Sequence, residues 1–254
     1  MIMFYFSGTG NSKYIAELFC KNMGSKCHSI EEDIDFTHLI ASEKVVGFCY
    51  PVYGSRVPRI MREFAARYMG PLKDKRIIIF CTQMFFSGDG ARAFTDIFPR
   101  GHVKVIYAEH FLMPNNVNNL FIFPLDSDKR ILDYLLKAHR KMRIVCKEIA
   151  DGKIKKRGFN PASRMLGNIQ GSFYPEMERK ARGKVWIDKD CDKCLLCVSV
   201  CPMKNFEYEN GEISTKSNCT ICYRCINGCP QKAISVYMRG KVKKQYGGLG
   251  KYDV

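Results

Sequence analysis

The amino-acid sequence predicts an α/β chain: a five-stranded, doubly wound parallel sheet followed by a second, small α+β domain organised around cysteine. Three observations carry this expectation. The first 150 residues alternate short apolar runs with helix-like stretches, the order that produces βα units and a parallel sheet. Residues 151–182 lose that periodicity, are rich in glycine and proline, and hold eight basic against three acidic residues. From residue 183 onward the chain repeats itself, since CDKCLLCVSVCP at 191–202 returns as CTICYRCINGCP at 219–230. The expected organisation is therefore a first domain at 1–150, a basic linker at 151–182, and a second domain with a basic tail at 183–254.

Within the first domain the candidate strands are 1–6, 26–30, 44–50, 76–82 and 103–111. Each is a short run of mostly apolar residues, as strands buried on both faces of a parallel sheet require. Between them lie helical faces at three- and four-residue spacing: Tyr14, Ile15, Leu18 and Phe19 on one, Ile60, Phe64 and Tyr68 on another. The longest helix is expected over 126–150, with Ile131, Leu135, Ala138 and Met142 turned inward.

Composition bounds the class. With 254 residues and 46% hydrophobic content, a sizeable core is available. No stretch approaches the roughly 20 apolar residues of a membrane span, and the opening MIMFYFSGTGN lacks the charged start of a secretory signal. A cytoplasmic protein with no membrane partner is expected. Of thirteen cysteines, eight sit in the two runs. The other five, Cys20, Cys27, Cys49, Cys81 and Cys146, lie in apolar contexts and read as small buried hydrophobes.

Each cysteine run has the form C-x2-C-x2-C-x3-C-P, the spacing of the bacterial two-cluster 4Fe-4S pattern. Three closely spaced thiolates wrap one cubane, and the fourth, on a segment leading away, reaches the other. The ligand sets then interleave: Cys191, Cys194, Cys197 and Cys229 for one cluster, Cys219, Cys222, Cys225 and Cys201 for the second. Zinc modules use cysteine pairs and leave no role for a third cysteine in each run. Ile187, Leu195, Val200, Ile213, Ile221, Ile226, Ile234 and Val236 are expected to jacket the clusters. Residues 184–238 resemble bacterial dicluster ferredoxins, which implies low-potential one-electron transfer.

At the other end, strand 1–6 runs into Ser7-Gly8-Thr9-Gly10-Asn11-Ser12 and then a helix. Backbone amides and hydroxyls converging on a helix N-terminus make an anion site. The dinucleotide fingerprint would need glycine where Lys13 stands, and the P-loop would need GK[ST], so neither fits. The segment 1–150 resembles the flavodoxin family, whose S/T-x-T-G-N loop holds the phosphate of FMN.

That resemblance implies two more cofactor loops, Pro51-Val52-Tyr53-Gly54 and the segment from Thr82, Gln83, Met84, Phe85, Phe86 and Ser87 to Gly88, Asp89 and Gly90. Both follow strand C-termini, where ligands bind in open α/β sheets. Tyr53 is the candidate for stacking on the flavin ring, with the Gly54 backbone near its N5 and the third loop along the pyrimidine edge. Met113-Pro114-Asn115-Asn116 is a candidate wall between flavin and cluster. The chain departs from long-chain flavodoxins in having no tryptophan in these loops and in being basic.

The whole resembles the flavodoxin–ferredoxin fusion proteins of anaerobic bacteria. The implied function is electron transfer between FMN and two 4Fe-4S clusters, within one molecule or across a homodimer, and onward to a partner redox protein such as an acidic ferredoxin or a reductase. The alternative is a flavin-dependent reductase acting directly on a quinone, an unsaturated compound or a nitro group. The histidines His28, His38, His102, His110 and His139 are dispersed, and no acid–base constellation emerges. The formal charge of +16 would suit nucleic acid, but no recognition motif accompanies the lysines, and two oxidised clusters bring about −4. What remains basic is the linker and the tail residues Arg239, Lys241, Lys243, Lys244 and Lys251.

Overall fold

A computed structural model describes residues 1–86, 88–118, 124–240 and 242–252. Ser87 and Lys241, named above, lie outside the described residues. In chain order the first domain holds β1 (Ile2–Tyr5), α1 (Asn11–Met23), β2 (Lys26–Ser29), α2 (Phe36–Ser42), β3 (Val45–Pro51), α3 (Arg59–Arg67), α4 (Met69–Leu72), β4 (Arg76–Gln83), a 3-10 turn over Arg92–Ile97, β5 (Lys104–Leu112) and α5 (Asp128–Ala150). The strands are parallel in the order β2-β1-β3-β4-β5. Because the winding reverses between β1 and β3, their C-terminal ends open a crevice at a topological switch point.

Two apolar layers cover the sheet. Phe4, Phe48, Ile77 and Ile79 face Phe36, Met61 and Phe64 of α2 and α3. On the other side Met3, Ile78, Phe80 and Tyr107 face α1 and α5. Ile131, Leu135, Ala138 and Met142 are buried as their spacing predicts. Among the described residues no helix is long and apolar enough to cross a membrane.

The stretch expected to be a linker is folded. It adds a sixth parallel strand, β6 (Lys155–Lys156), beside β5, where five strands were expected. It then forms α6 (Pro161–Ser172) and α7 (Tyr174–Arg182). Asn160 caps α6 by accepting from the Ser163 amide at 2.8 Å, with Pro161 in the first turn, a start signal present in the sequence. Two glycines one turn apart let α6 approach closely. A Cβ at Gly167 would stand 1.7 Å from Asp89 Oδ1, and one at Gly171 2.2 Å from the Arg56 guanidinium carbon.

The second domain comprises β7 (Val185–Ile187), α8 (Leu196–Val200), β8 (Phe206–Glu209), β9 (Glu212–Thr215), α9 (Arg224–Gly228) and β10 (Ile234–Val236). β7 pairs antiparallel with β10, and β8 with β9. Of the expected jacket, Ile221, Ile226, Ile234 and Val236 are buried, whereas Leu195 is exposed. The tail returns to the first domain. Tyr246 and Leu249 pack with Ile15 and Phe19, the Tyr246 hydroxyl donates to Asn11 Oδ1 at 2.7 Å, and Lys251 pairs with Asp128 at 3.0 Å.

Candidate cofactor sites

Gly10 caps α1 in the left-handed region, with φ of 102°, a conformation that favours glycine. Its amide donates to Ser7 Oγ at 3.0 Å, closing the loop on itself. Ser12 is buried, and its hydroxyl meets that of Thr82 at 2.7 Å, tying the first loop to the end of β4. Asn11 donates to the Pro114 carbonyl at 2.8 Å, and Asn116 to Thr9 Oγ1 at 2.8 Å. The segment expected as a wall is thus bonded directly to the glycine loop.

These loops enclose a cavity of about 330 Å³, within the range of small-ligand sites. Ser7, Gly8, Thr9, Asn11, Ser12, Pro51, Val52, Tyr53, Gly54, Thr82 and Gln83 line it, together with Met113 to Asn116. Six expected residues do not: Gly10, Phe85, Phe86, Gly88, Asp89 and Gly90, of which Phe85 is exposed and Gly90 accepts from the Tyr50 hydroxyl through its carbonyl at 3.0 Å. Gly10 sits on the outer rim near Lys13 and Glu31. Phe86 is exposed, and its carbonyl accepts from Gln170 on α6 at 3.3 Å. The Gly88 amide donates to Ser55 Oγ at 3.0 Å and to Gln170 Oε1 at 3.1 Å. Asp89 is fully buried against Arg92 at 2.7 Å. The far half of the third loop is therefore occupied in seating α6.

Sequence reasoning missed the other side of the cavity. Tyr174 and Met177 come from α7, and Ile221, Tyr223 and Tyr237 from the second domain. Tyr174 packs on Gly54, where an added Cβ would meet its side chain at 3.1 Å. Its ring lies 6.3 Å from that of Tyr53 at 37°. Tyr53 itself is a half-buried ring with its hydroxyl buried and without a hydrogen-bond partner among the described residues. Burial pushes that phenol well above its ordinary pKa, and Cys222 and Tyr174 push it the same way.

The cysteines of the two runs fall into two groups. Burial raises the Cys222 thiol to about 12, with Cys219 and Cys201 among its like-charge neighbours. Cys219, raised to about 11 by burial, also has Cys201 beside it. Cys201, Cys219, Cys222 and Cys225 line one small cavity with Ile221, Ile226, Val185 and Val236. For Cys197, again raised to about 11 chiefly by burial, the neighbours are Cys191, Cys194 and Cys229. Each group thus combines three thiols of one run with the fourth of the other. Among the described residues no three His, Cys, Asp or Glu side chains are placed to share a single metal ion.

The two sites touch. A Cβ at Gly8 would stand 2.2 Å from the Cys222 carbonyl oxygen. Arg224, two residues further, donates to the carbonyls of Ser7 at 2.8 Å and Gly8 at 3.2 Å, to Val200 at 2.9 Å, and pairs with Glu31 at 2.7 Å. Arg59 reaches Asn218 Oδ1 at 2.7 Å, and Asn227 donates to the Asn116 carbonyl at 2.9 Å.

Comparisons with known proteins divide the chain in the same way. Residues 2–120 match the family model of the flavodoxin domain, and residues 190–234 that of the 4Fe-4S dicluster domain. No curated protein sequence matches the chain. Among solved structures, the two-electron reduced flavodoxin of Megasphaera elsdenii is 20% identical, over 56% of this chain and 99% of its own, with a TM-score of 0.38. The Trp repressor binding protein of Bacillus subtilis is 14% identical over 55% and 96%, with a TM-score of 0.40. General stress protein 14 of Treponema denticola, solved in complex with FMN, is 10% identical over 57% and 96%, with a TM-score of 0.41.

The flavodoxin domain implies FMN, and the dicluster domain two 4Fe-4S clusters. The residues present suit both. An apolar cavity is lined in part by the loop and first turn at the N-terminus of α1, as a flavin phosphate requires, and holds the Tyr53 hydroxyl without a hydrogen-bond partner among the described residues. Burial raises the thiols of Cys197, Cys219, Cys222 and Cys225, and a metal centre beside them would favour the thiolate form that ligation needs. The chain joins a flavodoxin domain to a 4Fe-4S dicluster domain in one polypeptide, the arrangement of a flavodoxin–ferredoxin fusion, and is an electron-transfer protein of the flavin and iron–sulfur type.

Proposed function

We propose that the chain relays electrons internally between its flavin site and its clusters, and exchanges them with a separate redox protein. The observation that carries this is the packing of the Cys222 carbonyl on Gly8: a residue of one cluster loop and a residue of the phosphate loop are in contact within a single chain. When bound, FMN exchanges electrons in pairs or singly and the clusters singly, so the pair converts between the two modes.

The chain's own residues supply the setting. Ser7 to Ser12, at the N-terminus of α1, would hold the phosphate, with Gly10 shaping the turn from outside. Pro51 to Gly54 and Thr82 with Gln83 would bound the ring, Tyr53 and Tyr174 closing one side. Cys219, Cys222, Cys225 and Cys201 would hold the cluster nearer the flavin, and Cys191, Cys194, Cys197 and Cys229 the other. Residues 151–182 act as a folded bridge between the modules at 1–150 and 183–254.

Direct reduction of an organic acceptor would need a free face over the ring. Ile221, Tyr223 and Tyr237 of the second domain share that cavity, which favours the relay. Anaerobic purification with iron and flavin analysis tests the cofactor inventory, expected at about eight irons and one FMN per chain. Stopped-flow mixing of dithionite-reduced protein tests the function. Rapid transfer to protein acceptors is expected; rapid turnover of a quinone or nitro compound with none to proteins would overturn it, as would zinc in place of iron.

A further inference from the structure

The two cysteine runs are copies of one loop, and the fold keeps their backbone alike. At the offset of 28, Asn205 corresponds to Ala233 and Thr220 to Asp192. Lys204 and Lys232 share a left-handed turn, with φ of 47° and 54°. One residue on, the Asn205 amide donates to Cys201 Sγ and the Ala233 amide to Cys229 Sγ, both at 3.3 Å. What differs is the side chain carried at each matching position. Asn205 is 1% exposed and Thr220 2%, and both line the small cavity of Cys201, Cys219, Cys222 and Cys225. Asn205 Oδ1 accepts from the Asn218 amide at 2.5 Å, which fixes Nδ2 as the other end of the amide. That nitrogen and the Thr220 hydroxyl are both buried without a hydrogen-bond partner among the described residues. Two unpaired buried donors are costly unless an acceptor joins them, and they stand beside the same four thiols. At the first run the matching positions offer no such donors. Ala233 has none to give, and the exposed Asp192 carboxylate accepts from the Cys194 amide at 3.2 Å and from Gln231 at 3.1 Å.

We infer that Asn205 and Thr220 donate hydrogen bonds to the sulfurs of the cluster held by Cys201, Cys219, Cys222 and Cys225, setting it at a higher reduction potential than the other and drawing electrons inward to the flavin. This rests on the relay reading and adds its direction. Reduction adds negative charge to a cluster, and donors aimed at its sulfurs stabilise that charge. Asp192 acts in the opposite sense on the outer cluster, since its carboxylate stands between two of the ligands, Cys191 and Cys194, in sequence and repels the added electron. Cys194 is exposed, and water there favours reduction of the outer cluster; the Asp192 charge offsets this. An electron from a one-electron donor protein then enters at the outer cluster and passes inward. The outer cluster is oxidised by one electron as the inner is reduced by one, and no bond forms or breaks.

The test is a redox titration of the anaerobically prepared, cofactor-loaded protein, followed by electron paramagnetic resonance of the reduced clusters. The parent is expected to titrate in two waves, and the wave lost in Cys201→Ser identifies the inner cluster, which should be the higher of the two. Thr220→Val keeps the side-chain shape and removes the donor. Asn205→Ala brings in the residue found at the matching position of the other run. Each is expected to shift the inner wave downward with the outer wave in place and iron still at about eight per chain. Asp192→Asn should shift only the outer wave, upward. An inner wave at or below the outer one in the parent, no shift in either donor variant, equal shifts of both waves, or loss of iron in both variants would each overturn the tuning. Flavin reduction through the clusters of the parent protein reads the relay separately. Its absence with the wave order intact sinks the relay, and a reversed order with flavin reduction preserved sinks only the tuning.

Discussion

Gly8 and Cys222 are separated in sequence by most of the chain, yet a methyl group on Gly8 would come within 2.2 Å of the Cys222 carbonyl oxygen. Backbone cannot give way as a side chain can, so Gly8→Ala must displace either the phosphate loop or the cluster loop. Both sites should suffer from one methyl group. FMN affinity, followed by quenching of its fluorescence, is expected to fall at least tenfold, with altered absorbance of the neighbouring cluster. Gly10→Ala is the contrasting variant. Nothing lies within 4 Å of its added carbon, so its effect should be the left-handed backbone strain of about 1–2 kcal/mol, with the cluster spectrum unchanged.

Arg224 joins the same two loops by hydrogen bonds rather than by contact. Its guanidinium serves three carbonyls and the Glu31 carboxylate. Arg224→Leu leaves Glu31 without this cation and the carbonyls of Ser7 and Gly8 without this donor. Loss of charged hydrogen bonds at a partly buried site is expected to cost about 2 kcal/mol or more. Denaturant melts of the loaded protein measure this. Arg224→Lys should restore the charge but not the forked geometry, and so recover only part of the loss.

Cys201 belongs to the first run in sequence but to the second by neighbourhood. Cys201→Ser should therefore deplete the cluster held by Cys219, Cys222 and Cys225. Cys229→Ser should deplete the one held by Cys191, Cys194 and Cys197. Iron content is expected to fall from about eight toward four in each case, and the flavin should sense only the first. If Cys201→Ser removed the first-run cluster instead, the interleaved assignment would be wrong.

The sheet and the cysteine runs were legible because their signals are local. Apolar runs report strands, and a three-residue cysteine spacing reports a cluster, whatever the rest of the chain does. The bridge at 151–182 was not, since α6 has weak apolar periodicity and is held by seats outside itself. Its legible traces were Asn160-Pro161 as a helix start, and Gly167 with Gly171 one turn apart as a face meant for close approach. Arg224 carried no local signal at all. In sequence it falls at a position the cysteine spacing leaves unspecified, and its partners in the glycine loop are more than 200 residues away. The tail's basic residues give no sign of its packing, yet Tyr246 and Leu249 anchor it on α1. Phe86, Gly88 and Asp89 follow a strand C-terminus as the other two loops do, and no local signal in the sequence marks their contacts with the distant α6.

His110 gives the fold a predictable response to acid. It lies on β5, nearly fully buried, and burial pushes its imidazole down to about 4, Arg157 and Lys141 adding to the effect and Glu109 opposing it. A base whose folded pKa lies below its unfolded value, about 6.5, takes up its proton first in the unfolded chain. Stability from this group is therefore complete above about 6.5 and declines as pH falls toward 4, by about 3 kcal/mol in all. Glu109 acts in a lower window. Burial opposes ionisation there, but Lys141 at 2.9 Å and Lys155 at 3.0 Å hold its carboxyl below the usual range, so its contribution is lost only under stronger acid. Melts of the parent and of His110→Asn from pH 7 to 4 separate the two. The parent curve should slope downward across that interval and the variant should be nearly flat until Glu109 begins to protonate; equal slopes would place the acid sensitivity elsewhere.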